Sequence, residues 1–193
     1  MHKVLLLAIL IFLATDMPLP IHTSPERGSH YDMKHFVNTT DPIWTYKTTN
    51  DGEIICEVDQ MESITQVDIR YQRLFLMRRK RIRFIFLVCR YEIPLRGQFY
   101  YFHRDRMTVT SRDMAPMCTE ILLYQARDMS CAVIKIKSLT ERGDARFDLR
   151  IRNSSIHAKL HGGCHNFFYF HVGKRPVYPL YKPTCQRVLK RPK

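Results

Sequence analysis

The chain lacks every short signature of an activated nucleophile or a phosphate cradle: it has no Gly-x-Ser-x-Gly, no His-Glu-x-x-His and no glycine-rich loop. Scattered Ser, His and Asp are expected by chance, so neither an enzyme nor a cofactor is expected. Its 6 cysteines include no Cys-x-x-Cys, which removes zinc-ribbon and thioredoxin-like readings. After the first residues no apolar run is long enough to cross a bilayer. There is no internal repeat and no low-complexity segment. Acid is scarce, with 18 Asp and Glu against 31 Lys and Arg, a formal charge of +13. Such a balance favours acidic partners such as nucleic acid, heparan sulfate or anionic lipid. The charges are spread along the chain. The one dense run, Arg78-Arg79-Lys80-Arg81-Ile82-Arg83, lies between apolar strands. It reads as a solvated hairpin turn, with a polyanion contact as the alternative.

What is present points to a secreted domain. A basic start at Lys3 and an apolar run from Val4 to Ala14, too short to span a bilayer, predict a signal peptide over residues 1–22. The cleavage site is blurred by Pro18 and Pro20. Residues 23–193 then form a single extracellular domain, long enough to bury its own core. In that compartment cysteines form structural disulfides, although spacing alone does not choose among the pairings. Two sequons, at Asn38 and Asn153, are candidate glycosylation sites.

The clearest local pattern lies between Cys131 and Cys164. Ala132, Ile134 and Ile136 alternate with Val133, Lys135 and Lys137, and Phe147, Leu149 and Ile151 alternate with Arg146, Asp148 and Arg150. Period two predicts two strands, and the polar stretch Ser138 to Asp144 with Gly143 predicts the reversal between them. Ser24 to Met33 reads as a polar arm that orders on docking. Further strands are expected at Ile43 to Thr49, Ile54 to Val58, Val67 to Gln72, Phe84 to Tyr91, Gln98 to His103 with Met107 to Thr110 as its continuation, and Glu120 to Gln125. About eight short strands predict an all-β barrel or sandwich, and closure is favoured because it leaves no open edge. Ser155 to Val172 is compatible with a helix that Gly162-Gly163 breaks or begins.

The order Asp41-Pro42-Ile43-Trp44, Cys56, Leu123-Tyr124, Cys131, Phe147-Asp148-Leu149, Cys164 and Cys185 resembles the tick histamine-binding salivary lipocalins over most of the chain. The general lipocalin Gly-x-Trp signature is absent, as is usual in that divergent group. The resemblance implies an eight-stranded antiparallel barrel with a C-terminal α-helix packed outside, and bonds from Cys56 to Cys185 and from Cys131 to Cys164. Cys89 and Cys118 are then expected to pair with each other.

The resemblance also implies a monomeric carrier that sequesters small host inflammatory mediators in its lumen. The family's amine binders place a carboxylate directly after the cysteine at position 131 and a Glu-Leu-aromatic run in the next strand. Here Ala132 and Asp148-Leu149-Arg150 stand at those places. That departure shifts the expected guest from histamine or serotonin towards a leukotriene or fatty acid, whose carboxylate an Arg would hold in a fork. Trp44, Tyr46, Tyr71, Phe99, Tyr101, Glu120, Asp148 and Arg150 are the expected ligand-binding residues. Phe167, Phe168 and Phe170 are expected to rest on Phe147, Leu149 and Ile151 from outside.

Two further motifs carry readings of their own. Arg142-Gly143-Asp144 at the hairpin tip looks like an integrin-binding tripeptide. The alternative function is thus a protein-binding module directed at an integrin, a complement protein or a glycosaminoglycan. His157, His161 and His165 recur every four residues, but the glycine pair interrupts the helix they would need, so no metal is expected.

Overall fold

The computed structural model describes residues 31–81, 85–111, 113–140 and 143–189. The signal peptide reading and Arg142 fall outside these residues. Eight strands follow one another: β1 Ile43–Thr48, β2 Ile54–Ile64, β3 Asp68–Arg81, β4 Ile85–Phe99, β5 Arg106–Ser111, β6 Pro116–Gln125, β7 Cys131–Ser138 and β8 Arg146–Arg152. Each pairs antiparallel with the next, and β1 pairs with both β8 and β2. The sheet therefore closes into a barrel, as expected. A two-residue strand, β9 Tyr178–Pro179, adds to β1. Among the described residues no helix is long and apolar enough to cross a membrane.

Closure makes two cores from one sheet, because alternate side chains point to opposite faces. Inside lie Ile43, Ile69, Tyr71, Leu95, Met107, Val109, Leu122, Ala132, Ile134 and Ile136. One end of this interior is plugged by α1, Met33–Val37, which drops Met33, Phe36 and Val37 into it. The polar arm expected up to Met33 thus leads into an apolar stopper. Asp32 caps the helix by accepting from the His35 N–H, and Arg152 anchors its end by donating to the Phe36 carbonyl at 2.9 Å. Gly97 gives this end its tight wall: a Cβ there would stand 2.7 Å from Met107 Sδ.

The outer core lies under α2, Gly162–Val172, and the C-terminal segment. Phe147, Leu149 and Ile151 of β8 meet Phe168 and Val172 there. Of the three expected phenylalanines, Phe168 is buried, Phe167 is half-buried against Tyr124, and Phe170 is 80% exposed, one residue too far round the helix to reach the sheet. Two disulfides fasten this layer, Cys56–Cys185 and Cys131–Cys164, the pairings that the resemblance implied.

Two expectations need correction. Met107 to Thr110 does not continue the strand at Gln98. The chain turns over residues 100–105, and β5 comes back along β4 with Phe99 opposite Met107. Cys89 and Cys118 are free thiols, not a pair. Cys118 lies opposite Val109, which lies opposite Gly97, eight residues along β4 from Cys89. At about 3.3 Å per residue that is roughly 26 Å, far beyond disulfide reach.

Candidate ligand-binding site

Charged side chains inside apolar strands build the middle of the barrel. β8 turns Phe147, Leu149 and Ile151 outward, so Arg146, Asp148 and Arg150 point inward, and the helix outside buries both faces. Glu120 comes from β6, Arg73 from β3, and Glu57 and Asp59 from β2. Glu57, Arg73, Glu120, Asp148 and Arg150 are all buried.

Their contacts are specific. Arg150 forks onto Glu120 at 2.7 and 2.8 Å, and Arg73 forks onto Asp59 at 2.7 and 2.8 Å. Arg73 reaches Glu120 as well, at 3.2 Å, so the two forks join into one layer across the lumen. Beside it Thr45 donates to Glu57 at 2.8 Å and Thr48 to Asp148 at 2.6 Å. Arg146 approaches Asp148 only to 3.8 Å, and the Arg146 Nε and Asp148 Oδ2 atoms have no hydrogen-bond partner among the described residues. Ala132, at the position where an acid was expected, stands opposite Arg150 on β7.

The carboxyls respond differently to this setting. Burial pushes Glu120 up, but Arg150 and Arg73 outweigh it and bring the group down to about 2. Burial also opposes the Glu57 charge, and Arg73, Arg146 and Arg150 together overcome it, so Glu57 lies below the ordinary value. For Asp148 burial wins over Arg146 and Arg150, and its carboxyl is raised. Glu57 and Asp148 are therefore shifted in opposite directions within one polar corner.

The layer divides the interior. On the α1 side lies a small void of about 20 Å³, bounded by Tyr71, Met107 and Arg150 among others. The buried Tyr71 hydroxyl has no hydrogen-bond partner there among the described residues. On the other side a cavity of about 410 Å³ opens to solvent. Phe75, Ile93, Leu95, Val109, Met117 and Ile136 form its walls, and Glu57, Arg73 and Arg146 its floor. Cys118 also borders it, its thiol pushed by burial to about 11. A recess of about 10 Å³ adjoins the floor, bounded by Thr48, Glu57, Arg146 and Asp148.

The expected site residues are thus brought together only in part. Tyr71, Glu120, Asp148 and Arg150 do point into the lumen. Trp44 does not: it is fully buried in the outer core, edge-on to Tyr181 with its Nε1 donating to Asn153. Tyr46 also belongs outside, packed near Tyr181. Phe99 lies at the plugged end, half-buried, and Tyr101 is 88% exposed on the turn beyond it. Asn38 is exposed, whereas Asn153 is half-buried and its Oδ1 accepts from both Trp44 and Gln186. Glu57, Asp59 and Arg73 were not singled out from sequence. Glu57 and Asp59 sit two apart around the apolar Val58, the same signal that β8 carries.

Among the described residues, His157, His161 and His165 do not come together as a metal ligand set. The cluster of potential ligands at Cys131, His161 and Cys164 has both sulfurs in a disulfide, and His161 Nδ1 accepts from the Gly163 N–H at the start of α2. Gly143 and Asp144 are exposed at the β7–β8 connection.

No protein-family model matches the chain, and no curated protein matches it. Solved structures do resemble it. A crystal structure of AM182 in complex with serotonin is 17% identical, with a TM-score of 0.52 over 76% of this chain and 85% of its own. Japanin from Rhipicephalus appendiculatus, bound to cholesterol, is 8% identical, with a TM-score of 0.55 over 76% and 96%. The siderocalin Ex-FABP, described as functioning through dual ligand specificities, is 10% identical, with a TM-score of 0.51 over 74% and 93%. A closed eight-stranded antiparallel barrel, plugged at one end and flanked by a helix, gives this chain the lipocalin fold.

Proposed function

We propose that the protein is a secreted carrier that shelters one small host mediator in the open end of its barrel, by equilibrium binding, and that the guest carries an ammonium head. The observation behind this reading is the acid surplus of the charged layer on which the cavity rests. Among the described residues of this layer, Glu57, Asp59, Glu120 and Asp148 meet Arg73, Arg146 and Arg150. A chain of net charge +13 therefore keeps, within this layer of its described residues, four carboxyls against three guanidiniums.

The preference for an anionic guest expected from sequence rested on free Arg forks. Those of Arg73 and Arg150 are already filled by Asp59 and Glu120. The recess between Glu57 and Asp148, at about 10 Å³, suits a group the size of a water or an ammonium. An ammonium leaving water needs a charged, hydrogen-bonding partner, which this corner supplies. The apolar walls above suit an aromatic or aliphatic body. Serotonin in the similar AM182 structure supports an aromatic amine, and two disulfides support secretion.

One observation favours a second reading. Arg146 borders the same cavity with an unpartnered Nε, so a carboxylate-ended lipid would seat there. Calorimetric titration with serotonin, histamine and a fatty acid separates the two. The amine reading expects serotonin or histamine uptake that falls roughly tenfold or more in Glu57→Gln. Uptake of the fatty acid alone, abolished by Arg146→Met, would replace it.

A further inference from the structure

The plugged end of the barrel, remote from the cavity mouth, carries side chains that the fold does not use. The turn after β4 holds Tyr101 and Phe102 in solvent, each 88% exposed, with their rings edge to face at 4.9 Å. Val67, on the β2–β3 turn, is 62% exposed and adjoins them, since the Phe99 N–H donates to the Val67 carbonyl at 2.9 Å. Beneath this tip an open groove of about 740 Å³ runs towards α1, bordered by Lys34, His35 and Arg104. The acids nearby are already engaged. Asp32 pairs with Arg104 and caps α1, and Asp105 is buried beside Arg106. Lys34 thus leaves the groove cationic, on a chain that is +13 overall.

We propose that this end is a docking face for a lipid surface bearing anionic headgroups. Tyr101, Phe102 and Val67 enter the interface while Lys34 and His35 meet the phosphates. Aromatic rings sit favourably at headgroup level, and cations beside them are drawn to the negative leaflet. Buried apolar area and attraction to anionic headgroups add in holding a protein at a membrane surface. Charge complementarity and shape favour lipid over a protein partner: the apolar groups stand on projecting loop tips, whereas a protein interface needs a broad face. Docked this way, the ligand cavity at the opposite end of the barrel stays open to water. The proposal is independent of which guest that cavity takes.

Sedimentation of the full secreted chain with phosphatidylcholine vesicles, with and without phosphatidylserine, tests it. The wild type is expected to bind the phosphatidylserine vesicles preferentially. The double variant Tyr101→Ser, Phe102→Ser is expected to lose roughly tenfold or more of that binding while keeping its melting temperature. In a Tyr101→Trp variant the new fluorophore should shift to the blue on those vesicles, while buried Trp44 stays constant. Equal vesicle binding by the double variant, which would mean adhesion through diffuse charge, overturns the proposal. So does unshifted emission from the tryptophan variant. Vesicles ignored altogether, with a protein retained by the wild type and lost by the double variant, would assign the face to a protein partner instead.

Discussion

Arg150 holds Glu120 by both terminal nitrogens, at 2.7 and 2.8 Å, in a barrel interior where the two side chains are 2% and 0% exposed. Arg73 reaches the same carboxylate from β3, so three strands on different sides of the lumen meet at one residue. The pair spends the guanidinium internally, and this is why the Arg-rich look of β8 does not translate into a free anion receptor.

Removing one partner strands the other charge in the interior. Glu120→Gln or Arg150→Met is expected to cost about 3–5 kcal/mol in denaturant melts, and replacing both by apolar residues far less than the sum. The same carboxyl sets an acid limit. Its folded-state value, about 2, lies below the unfolded value of about 4.3. Its stabilisation is therefore complete above that unfolded value and fades as pH falls towards 2. Acid titration of stability should show this slope in the wild type and a flatter one in Glu120→Gln.

Asp148 is expected to behave with the opposite sign. Its carboxyl is raised by burial, so the folded protein binds the proton more tightly than the unfolded chain. Stability contributed by the protonated form is lost as pH climbs past the ordinary carboxyl value. Asp148→Asn should leave stability at neutral pH unchanged or higher, yet weaken amine uptake roughly tenfold. A destabilisation matching that of Glu120→Gln would contradict this assignment.

The two thiols offer an independent probe of the cavity. Cys118 borders it with a pKa of about 11, whereas Cys89 lies on the long β3–β4 hairpin. Alkylation followed by peptide mapping should find both thiols unoxidised and Cys118 slow to react. A guest in the cavity should slow Cys118 further and leave the Cys89 rate alone. A rate at Cys118 that saturating guest does not change would place the guest elsewhere.

The disulfides should differ in worth. Cys56–Cys185 closes a separation of 129 residues and Cys131–Cys164 one of 33. Loop-closure entropy predicts that losing the first costs about 1 kcal/mol more than losing the second, within the usual range of about 2–5 kcal/mol. Paired Cys→Ser variants compared by denaturant melts measure the difference.

Gly163 allows α2 to start against the barrel. A Cβ there would meet Tyr124, whose ring Cζ would be 2.8 Å away and which stacks on Phe167. Gly163→Ala should cost about 1–3 kcal/mol by displacing that ring. A thermal melt matching the wild type would contradict it.

The strands of the barrel were legible because alternation is a local property, and the hairpin from Cys131 onwards follows it closely. Which face was the lumen was not legible from alternation. In β8 both faces are buried, one by α2 and one by closure, so a hydropathy pattern turns Phe147 inward and Asp148 outward, the reverse of the structure. Sequence places Trp44 and Tyr46 in the cavity for the same reason: aromatic bulk marks a buried strand without saying which side it packs on. The run from Phe99 to Phe102 reads as a strand by composition, but β4 loses its partner at Phe99 and the chain must turn to begin β5. The charged layer could have been suspected from acids and arginines spaced two apart within apolar strands, at Glu57 and Asp59 as at Asp148 and Arg150. Their pairing across strands depends on register, which no local pattern encodes.

The acid surplus inside a strongly basic shell sets approach and retention against each other. A cationic guest is repelled at long range by the whole molecule and attracted only once it is within the walls, where added electrolyte screens little. Raising ionic strength should therefore speed the capture of such a guest while leaving its escape nearly unchanged, the reverse of the usual salt response of a charged pair.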